Sequence, residues 1–467
     1  MSAASLGRSG NSGGRIAYPA LLGTTALGTL SANVINAPLY VIQTELGMTS
    51  QQSVMAVSAF TIAMATVVPL AGWSGDRFGT KIFLVSALGI MVLAEIAAAL
   101  APGMETLIAA RAVQGAACSA IPPCVQAALM SLWPERTAQT MGAWASAIGL
   151  GQAVGPPFGG VVTEVLGWRY VFITHATLVL VMMVLLAVSM PTVARRRPPT
   201  HASAMFWLVA GGGSTATAIL LAGQGGPWVG VTLLTICAIG SWTMFGHLCR
   251  RRARFAAEHA GTPGPLLDPA LLRDPGYLTA AAGAGLAMGS MAVSIVAVPL
   301  FLASKLDLGP AQIGVVVFTL ALAMIVAGPV AGRLGRQRGT STQLSSGVLI
   351  LVVAAPVITL ALVSSDLGVA RWVIVSLVIL GLLLAGTGIA FTQSAAATEL
   401  VLSPAGRAGT AIGIHNMLRF LAMALGYSGV SLAYATNASL LIFPAVSLTG
   451  LAMFTALRAN RGKPRHP

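Results

Sequence analysis

The chain has 467 residues, 56% of them hydrophobic and 8% charged, with a mean hydropathy of +0.84 and a formal net charge of +14. Soluble domains carry roughly 25% charged residues, so a soluble fold is excluded. The apolar residues come in repeated runs of about 20, the length that crosses a bilayer as a helix.

Residues 1–15 are Ser/Gly-rich and polar and read as a cytoplasmic N-terminus, with no cleavable signal peptide. The apolar runs predict an all-α membrane protein with fourteen transmembrane helices. They lie over roughly 16–42, 52–75, 80–100, 105–132, 138–163, 168–191, 204–223, 227–248, 277–303, 311–332, 343–363, 371–395, 407–434 and 438–458. Helix is the default because an isolated strand cannot satisfy its backbone in lipid. The spans divide into a six-helix bundle at 16–191, a basic linker at 192–203 and two additional helices at 204–248. A cytoplasmic linker at 249–276, a second six-helix bundle at 277–458 and a basic cytoplasmic tail at 459–467 follow.

Lys and Arg placement orients the spans. With the N-terminus inside, 21 of the 26 fall in cytoplasmic segments, three (Arg169, Lys305 and Arg371) outside, and Arg111 and Arg419 within spans. Both termini are therefore expected in the cytoplasm of a multi-pass plasma-membrane protein. The basic charge is topological, with anionic lipid headgroups rather than nucleic acid as its neighbour. The cysteines Cys118, Cys124, Cys237 and Cys249 show neither metal-ligand nor disulfide-framework spacing.

Between spans 2 and 3 lies a short charged turn, Gly72-Trp73-Ser74-Gly75-Asp76-Arg77-Phe78-Gly79-Thr80-Lys81. It returns, degraded, at Gly332-Arg333-Leu334-Gly335-Arg336-Gln337-Arg338-Gly339. Both copies follow a similar tetrapeptide, Pro69-Leu70-Ala71-Gly72 and Pro329-Val330-Ala331-Gly332. A duplicated helix-turn-helix in a polytopic chain points to two pseudo-equivalent halves, the architecture of secondary transporters. Asp76 is an anion at a helix terminus, able to meet a neighbouring helix N-terminus and latch one conformation. Gly72, Asp76, Arg77, Gly79 and Lys81 are the candidate latch residues.

Span 4 carries Arg111-x-x-Gln114-Gly115, and an intramembrane arginine is expensive and by default functional. Span 5 carries Gly151-x-x-x-Gly155-Pro156-x-x-Gly159-Gly160: glycines four apart make a flat helix face, and Pro156 removes a backbone donor. Together with the turn, these motifs resemble the major facilitator superfamily, whose corresponding patterns are G-x-L-x-D-R-x-G-R-K, R-x-x-Q-G and the glycine-proline motif of the exporter branch. Trp168-Arg169-x-x-Phe172, Pro265-Leu266-Leu267-Asp268 and Leu271-Leu272-Arg273-Asp274 are similar to segments of its fourteen-span drug:proton antiporters.

The resemblance implies two six-helix bundles rocking about a central cavity, and proton-coupled export of small amphipathic compounds such as drugs or antibiotics. It implies no enzymatic activity, cofactor or metal, with protons, membrane lipids and a small molecule as partners; the sequence leaves the oligomeric state open, with a monomer as the working expectation. Uptake of a metabolite by the same fold, and a non-transporting membrane sensor or enzyme, are the alternatives. No G-x-x-x-x-G-K-[ST] sequence for ATP occurs.

One departure bears on mechanism. The family's span 1 holds an acid where this chain has Ser31, although Asn36 matches. The intramembrane ionisable set is Glu95, Arg111, His175, His415 and Arg419. Glu95 and Arg111 lie at similar depths, which allows an ion pair. Glu95 or His415 is the expected replacement proton carrier. His415 and Arg419, four apart on one helix face, suit an anionic or acidic-phenolic group, or a pair bridged by a further acid. With Asn33 and Asn36, which either bind substrate or join helices, they complete the candidate site.

Overall fold

The computed structural model describes residues 10–36, 38–47, 50–192, 198–259, 262, 264–436 and 439–461. The arginines of the 192–203 linker and most of the terminal tails lie outside them. The described residues fold into helices joined by short turns. In the first part of the chain these are α1 (Gly10–Asn33), α2 (Leu39–Glu45), α3 (Ser50–Phe78), α4 (Thr80–Ala99), α5 (Met104–Cys118), α6 (Ile121–Leu132), α7 (Thr137–Leu166) and α8 (Trp168–Ser189). Then come α9 (Ala202–Gly223), α10 (Trp228–Glu258), α11 (Pro275–Leu306), α12 (Pro310–Arg338), α13 (Thr340–Asp366), α14 (Arg371–Leu402), α15 (Gly409–Ala435) and α16 (Ile442–Arg461).

Every expected span is occupied by a helix or by two in succession, and among the described residues eleven helices are long and apolar enough to cross a membrane. The span over 438–458 corresponds to a shorter apolar helix, Ile442–Ala456. α1 and α7, interrupted by Gly, Thr, Ser and Gln, also fall outside the eleven. Large apolar side chains such as Val188, Val165 and Trp372 point outward, as lipid-facing residues do.

Three boundaries differ from the sequence reading. Span 1 is broken: α1 stops at Asn33, and α2 resumes at Leu39 after Pro38. Span 4 is broken at Ser119–Ala120, just before Pro122 and Pro123, which lack the N–H groups an uninterrupted helix needs. The linker from 249 begins as helix, because α10 runs on to Glu258. Asp274 caps the start of α11 by accepting the Tyr277 N–H at 2.8 Å.

Both copies of the duplicated turn are single glycines between consecutive helices. Gly79 has φ +93° and Gly339 φ +82°, a region that only glycine enters cheaply. The turns occupy equivalent places in the packing. A Cβ on Gly72, at the end of α3, would lie 1.9 Å from the Gly409 carbonyl oxygen at the start of α15. A Cβ on Gly332, near the end of α12, would lie 2.7 Å from the Ala138 carbonyl oxygen at the start of α7. The early and late helices thus meet backbone to backbone at the end of the molecule that carries Asp76. Ser146 adds a bond from α7 to the Ile325 carbonyl of α12 at 3.0 Å. α9 packs on α10 and lies against both α3 and α15.

Candidate functional site

A cavity of about 60 Å³ lies between the early and late helices. Thr25, Gly28, Thr29 and Ala32 of α1 form one wall, with Cys118, Ile121 and Pro122 at the break in span 4 beside it. Trp144, Ile148 and Gln152 of α7 form a second wall, and Met288, Arg419, Phe420 and Met423 close the far side. Drug-sized ligands need about 300–1,000 Å³, so this enclosure must widen to admit one. Arg419 is the charged residue of the lining, and no acid stands among the described residues there.

Arg419 is buried and held by neutral groups. It donates to Asn416 Oδ1 at 2.7 Å and Gln393 Oε1 at 3.4 Å, lies 3.6 Å from Met288 Sδ, and has its Cζ 4.8 Å from the Trp144 ring centroid. Asn416 carries the contact on to α6 by donating to Gln126 Oε1 at 3.2 Å. The Trp144 indole N–H is buried without a hydrogen-bond partner among the described residues. A cation and an idle donor on a mostly apolar enclosure suit an amphipathic molecule with an acidic group.

His415 parts company with Arg419. Its ring meets Tyr277 edge-on, 6.4 Å between centroids, and it does not belong to the cavity lining. The spacing of four put both on one stripe of α15, yet a helical stripe is wide enough to serve two neighbours.

A second buried network lies behind α1. Arg111 donates to the Ser31 carbonyl at 3.2 Å and to Gln114 Oε1 at 2.7 Å, with its Cζ 4.4 Å from the Phe60 ring centroid. Gln114 Nε2 donates to Ser31 Oγ and to Glu95 Oε1, both at 2.8 Å. Glu95 Oε1 also lies 2.7 Å from His175 Nδ1, and His175 Nε2 lies 3.1 Å from the Leu27 carbonyl. The Glu95–Arg111 pair that their similar depths allowed is not made directly: one glutamine amide stands between the two, and Glu95 meets His175 instead. Equal depth in two spans did not fix which faces of α4 and α5 meet, and the side chain between was Gln114. Sequence reasoning placed His175 inside the membrane but gave it no role; its approach to Glu95 depends on α8 packing against α4.

The span 5 glycines pack against α1. A Cβ on Gly151 or Gly159 would lie 2.2 Å from the carbonyl oxygen of Ala26 or Val34, and one on Gly155 would lie 3.1 Å from Asn33 Cβ. Pro156 and Gly160 follow this row within α7 without breaking it. Gly115 fits α5 against α3 in the same manner, 2.1 Å from the Phe60 carbonyl oxygen. Asn33 joins α1 to α7, donating to Gln152 Oε1 at 2.7 Å, while Asn36 is exposed beyond the end of α1. Asp76 Oδ2 accepts the Gly409 N–H at 2.7 Å, an anion on the first turn of α15. Arg77 ends α3 and Lys81 starts α4 on either side of Gly79.

At the opposite end Glu45 pins α2 to α8, pairing with Arg169 and accepting the Trp168 indole N–H at 2.8 Å. Its bond from Arg169 holds the Glu45 carboxyl below the usual carboxylate range.

Residues 21–427 match the family description "Major Facilitator Superfamily". The chain is 29% identical over 277 residues to a methylenomycin A resistance protein of Streptomyces coelicolor, covering 57% of this chain and 56% of that relative. It is 24% identical over 410 residues to the multidrug resistance protein Stp of Mycobacterium tuberculosis, covering 85% of this chain and 72% of the relative. Among solved structures it shares the fold of the human organic anion transporter MFSD10 (TETRAN), with a TM-score of 0.67, 15% identity, and coverage of 95% of this chain and 99% of that one. The chain belongs to the Major Facilitator Superfamily: it is a multi-pass membrane transporter and not an enzyme.

Proposed function

We propose that this transporter exports small amphipathic organic compounds bearing an acidic group, by alternating access and in exchange for protons. Its fourteen spans form two pseudo-symmetric six-helix bundles and an inserted pair, α9 and α10, with both termini and the Asp76 end in the cytoplasm of a plasma-membrane protein. The observation that carries the reading is Arg419: a buried cation with neutral partners, on the wall of a cavity lined from both sets of helices. An unpaired charge is costly in such a place, and a ligand anion offsets that cost. The drug-resistance names of the relatives and the glycine-proline row of α7 support export rather than uptake.

The Asp76–Gly409 bond and the glycine contacts beside it close the cytoplasmic end, and breaking them opens it. Alternation then consists of opening one end of the cavity while the other packs shut. The test uses everted membrane vesicles and radiolabelled 1-naphthalenesulfonate, an amphipathic anion whose charge does not vary with pH. A lumen more acidic than the medium should drive its accumulation in vesicles that contain the protein. Uptake confined to right-side-out vesicles would overturn the direction, and uptake indifferent to the pH gradient would overturn the coupling.

A further inference from the structure

We propose that Glu95 and His175 together hold the coupling proton, and that its loss swings the Glu95 carboxylate from His175 to Arg111. The inference rests on the proton-coupled reading above and names the site that performs it.

The tautomer follows from geometry. His175 Nε2 faces the Leu27 carbonyl at 3.1 Å, and a carbonyl only accepts, so Nε2 keeps its hydrogen in every state. His175 Nδ1 lies 2.7 Å from Glu95 Oε1, which is a hydrogen bond only while one proton sits between them. When that proton departs to water, a bare nitrogen lone pair confronts a carboxylate and attraction becomes repulsion. The Nε2–H bond to the Leu27 carbonyl is kept, and the site loses one positive charge.

The alternative anchor already stands beside it. Glu95 Oε2 and Arg111 Nη2 are both buried, and neither has a hydrogen-bond partner among the described residues. Idle polar atoms in such surroundings are costly. Gln114 grips both residues with one amide, taking a hydrogen from Arg111 and giving one to Glu95. The released carboxylate needs only to turn past that amide to meet the free guanidinium nitrogen. The groups around Glu95 are His175 from α8, Arg111, Gln114 and the Cys118 thiol from α5, and Ser31 from α1, with the Phe60 ring of α3 backing Arg111.

α1 connects this site to the cavity. The carbonyls of Leu27 and Ser31, one turn apart, are tied to His175 and Arg111, while Gly28, Thr29 and Ala32 line the cavity. A shift of Glu95 between its two partners alters the hold on α1, which rests on the glycine row of α7. The arrangement also accounts for Ser31: its hydroxyl and the Glu95 carboxylate share the same Gln114 amide, so the acid absent from α1 is supplied by α4 within reach of one side chain.

The test measures the distance between spin labels at the Glu45 end in the full chain in nanodiscs, using Glu105→Cys and Leu367→Cys with the exposed Cys237 changed to Ser. Spectra are taken at about pH 5.5 and about pH 8.5. The parent spacing should differ between the two conditions. E95Q and H175N should each show one spacing at both, and H415A should respond like the parent. Ser31→Asp added to E95Q should restore the response, which separates loss of the acid from damage to packing. A parent spacing indifferent to pH, an E95Q variant that follows pH like the parent, an unresponsive H415A, or failure of Ser31→Asp to restore the response overturns the proposal. No transported compound is needed. Loss of this result with acid-driven sulfonate uptake intact sinks the proton site alone, and the reverse outcome sinks the export reading alone.

Discussion

The two buried arginines are set up alike and left in opposite condition. Arg111 and Arg419 each bond an amide side chain three residues away, Gln114 and Asn416, and each lies over an aromatic ring, Phe60 and Trp144. Behind Gln114, however, stand Glu95 and His175, whereas beyond Asn416 and Trp144 the further neighbours of Arg419 among the described residues are Gln393, Met288 and the cavity. The first arginine has an acid one amide away. Among the described residues the second has none, and it lines the cavity. The same local device thus serves two ends, and what differs is whether the neighbouring helix brings an acid.

That contrast matters only if the halves move against each other, so the largest effect is expected where they touch. A Cβ on Gly72 would stand 1.9 Å from the Gly409 carbonyl oxygen, backbone that cannot rotate away. Gly72→Ala should therefore destabilise the state closed at the Asp76 end by about 1–3 kcal/mol, on the order of 10–100-fold in population. Spin labels across that end should report the opening, and sulfonate uptake should fall with it. An unchanged spacing would mean that the contact is not part of the cycle, and the comparison of the two arginines would lose its mechanical setting.

Much of this was legible in the sequence, for reasons that differ by region. The helical spans follow from runs that only lipid tolerates, and the duplicated turn was readable because Gly79 and Gly339 perform a backbone task no other residue does cheaply. The breaks at Asn33 and Ser119 were less visible, because prolines such as Pro69, Pro156 and Pro299 sit inside continuous helices and a proline alone does not mark a break. The meeting of Asp76 with the α15 terminus was expected in kind, since a carboxylate suits a helix N-terminus, but nothing local named α15. Glu95 shows the limit most clearly. Its depth matched that of Arg111, yet a depth leaves the helix face free, and the contact with His175 arises from the packing of α4 on α8. The separation of His415 from Arg419 has the same origin, since the ring that takes His415 comes from α11.

A smaller effect belongs to the Glu45 end, in a pair that involves neither Arg111 nor Arg419. The Glu45 carboxyl is held below its ordinary value by Arg169, so the pair contributes stability above the usual carboxylate range and loses it as pH falls through the lowered value. For a half-exposed pair the contribution is about 0–1 kcal/mol. Glu45→Gln should lower the thermal stability of the purified protein slightly at neutral pH, and the difference should vanish in acid. A deficit that persists in acid would mean that α2 is held by packing alone.

The central claim is that Arg419 is open to a ligand's charge and Arg111 is not. Calorimetric binding of 1-naphthalenesulfonate to the purified protein and to Arg419→Gln tests it most directly. Loss of a charge-assisted hydrogen bond worth about 1.5–3 kcal/mol should weaken binding about 10–100-fold. Equal affinity in the two proteins, or a preference for the naphthylmethylammonium cation over the sulfonate, would contradict the account.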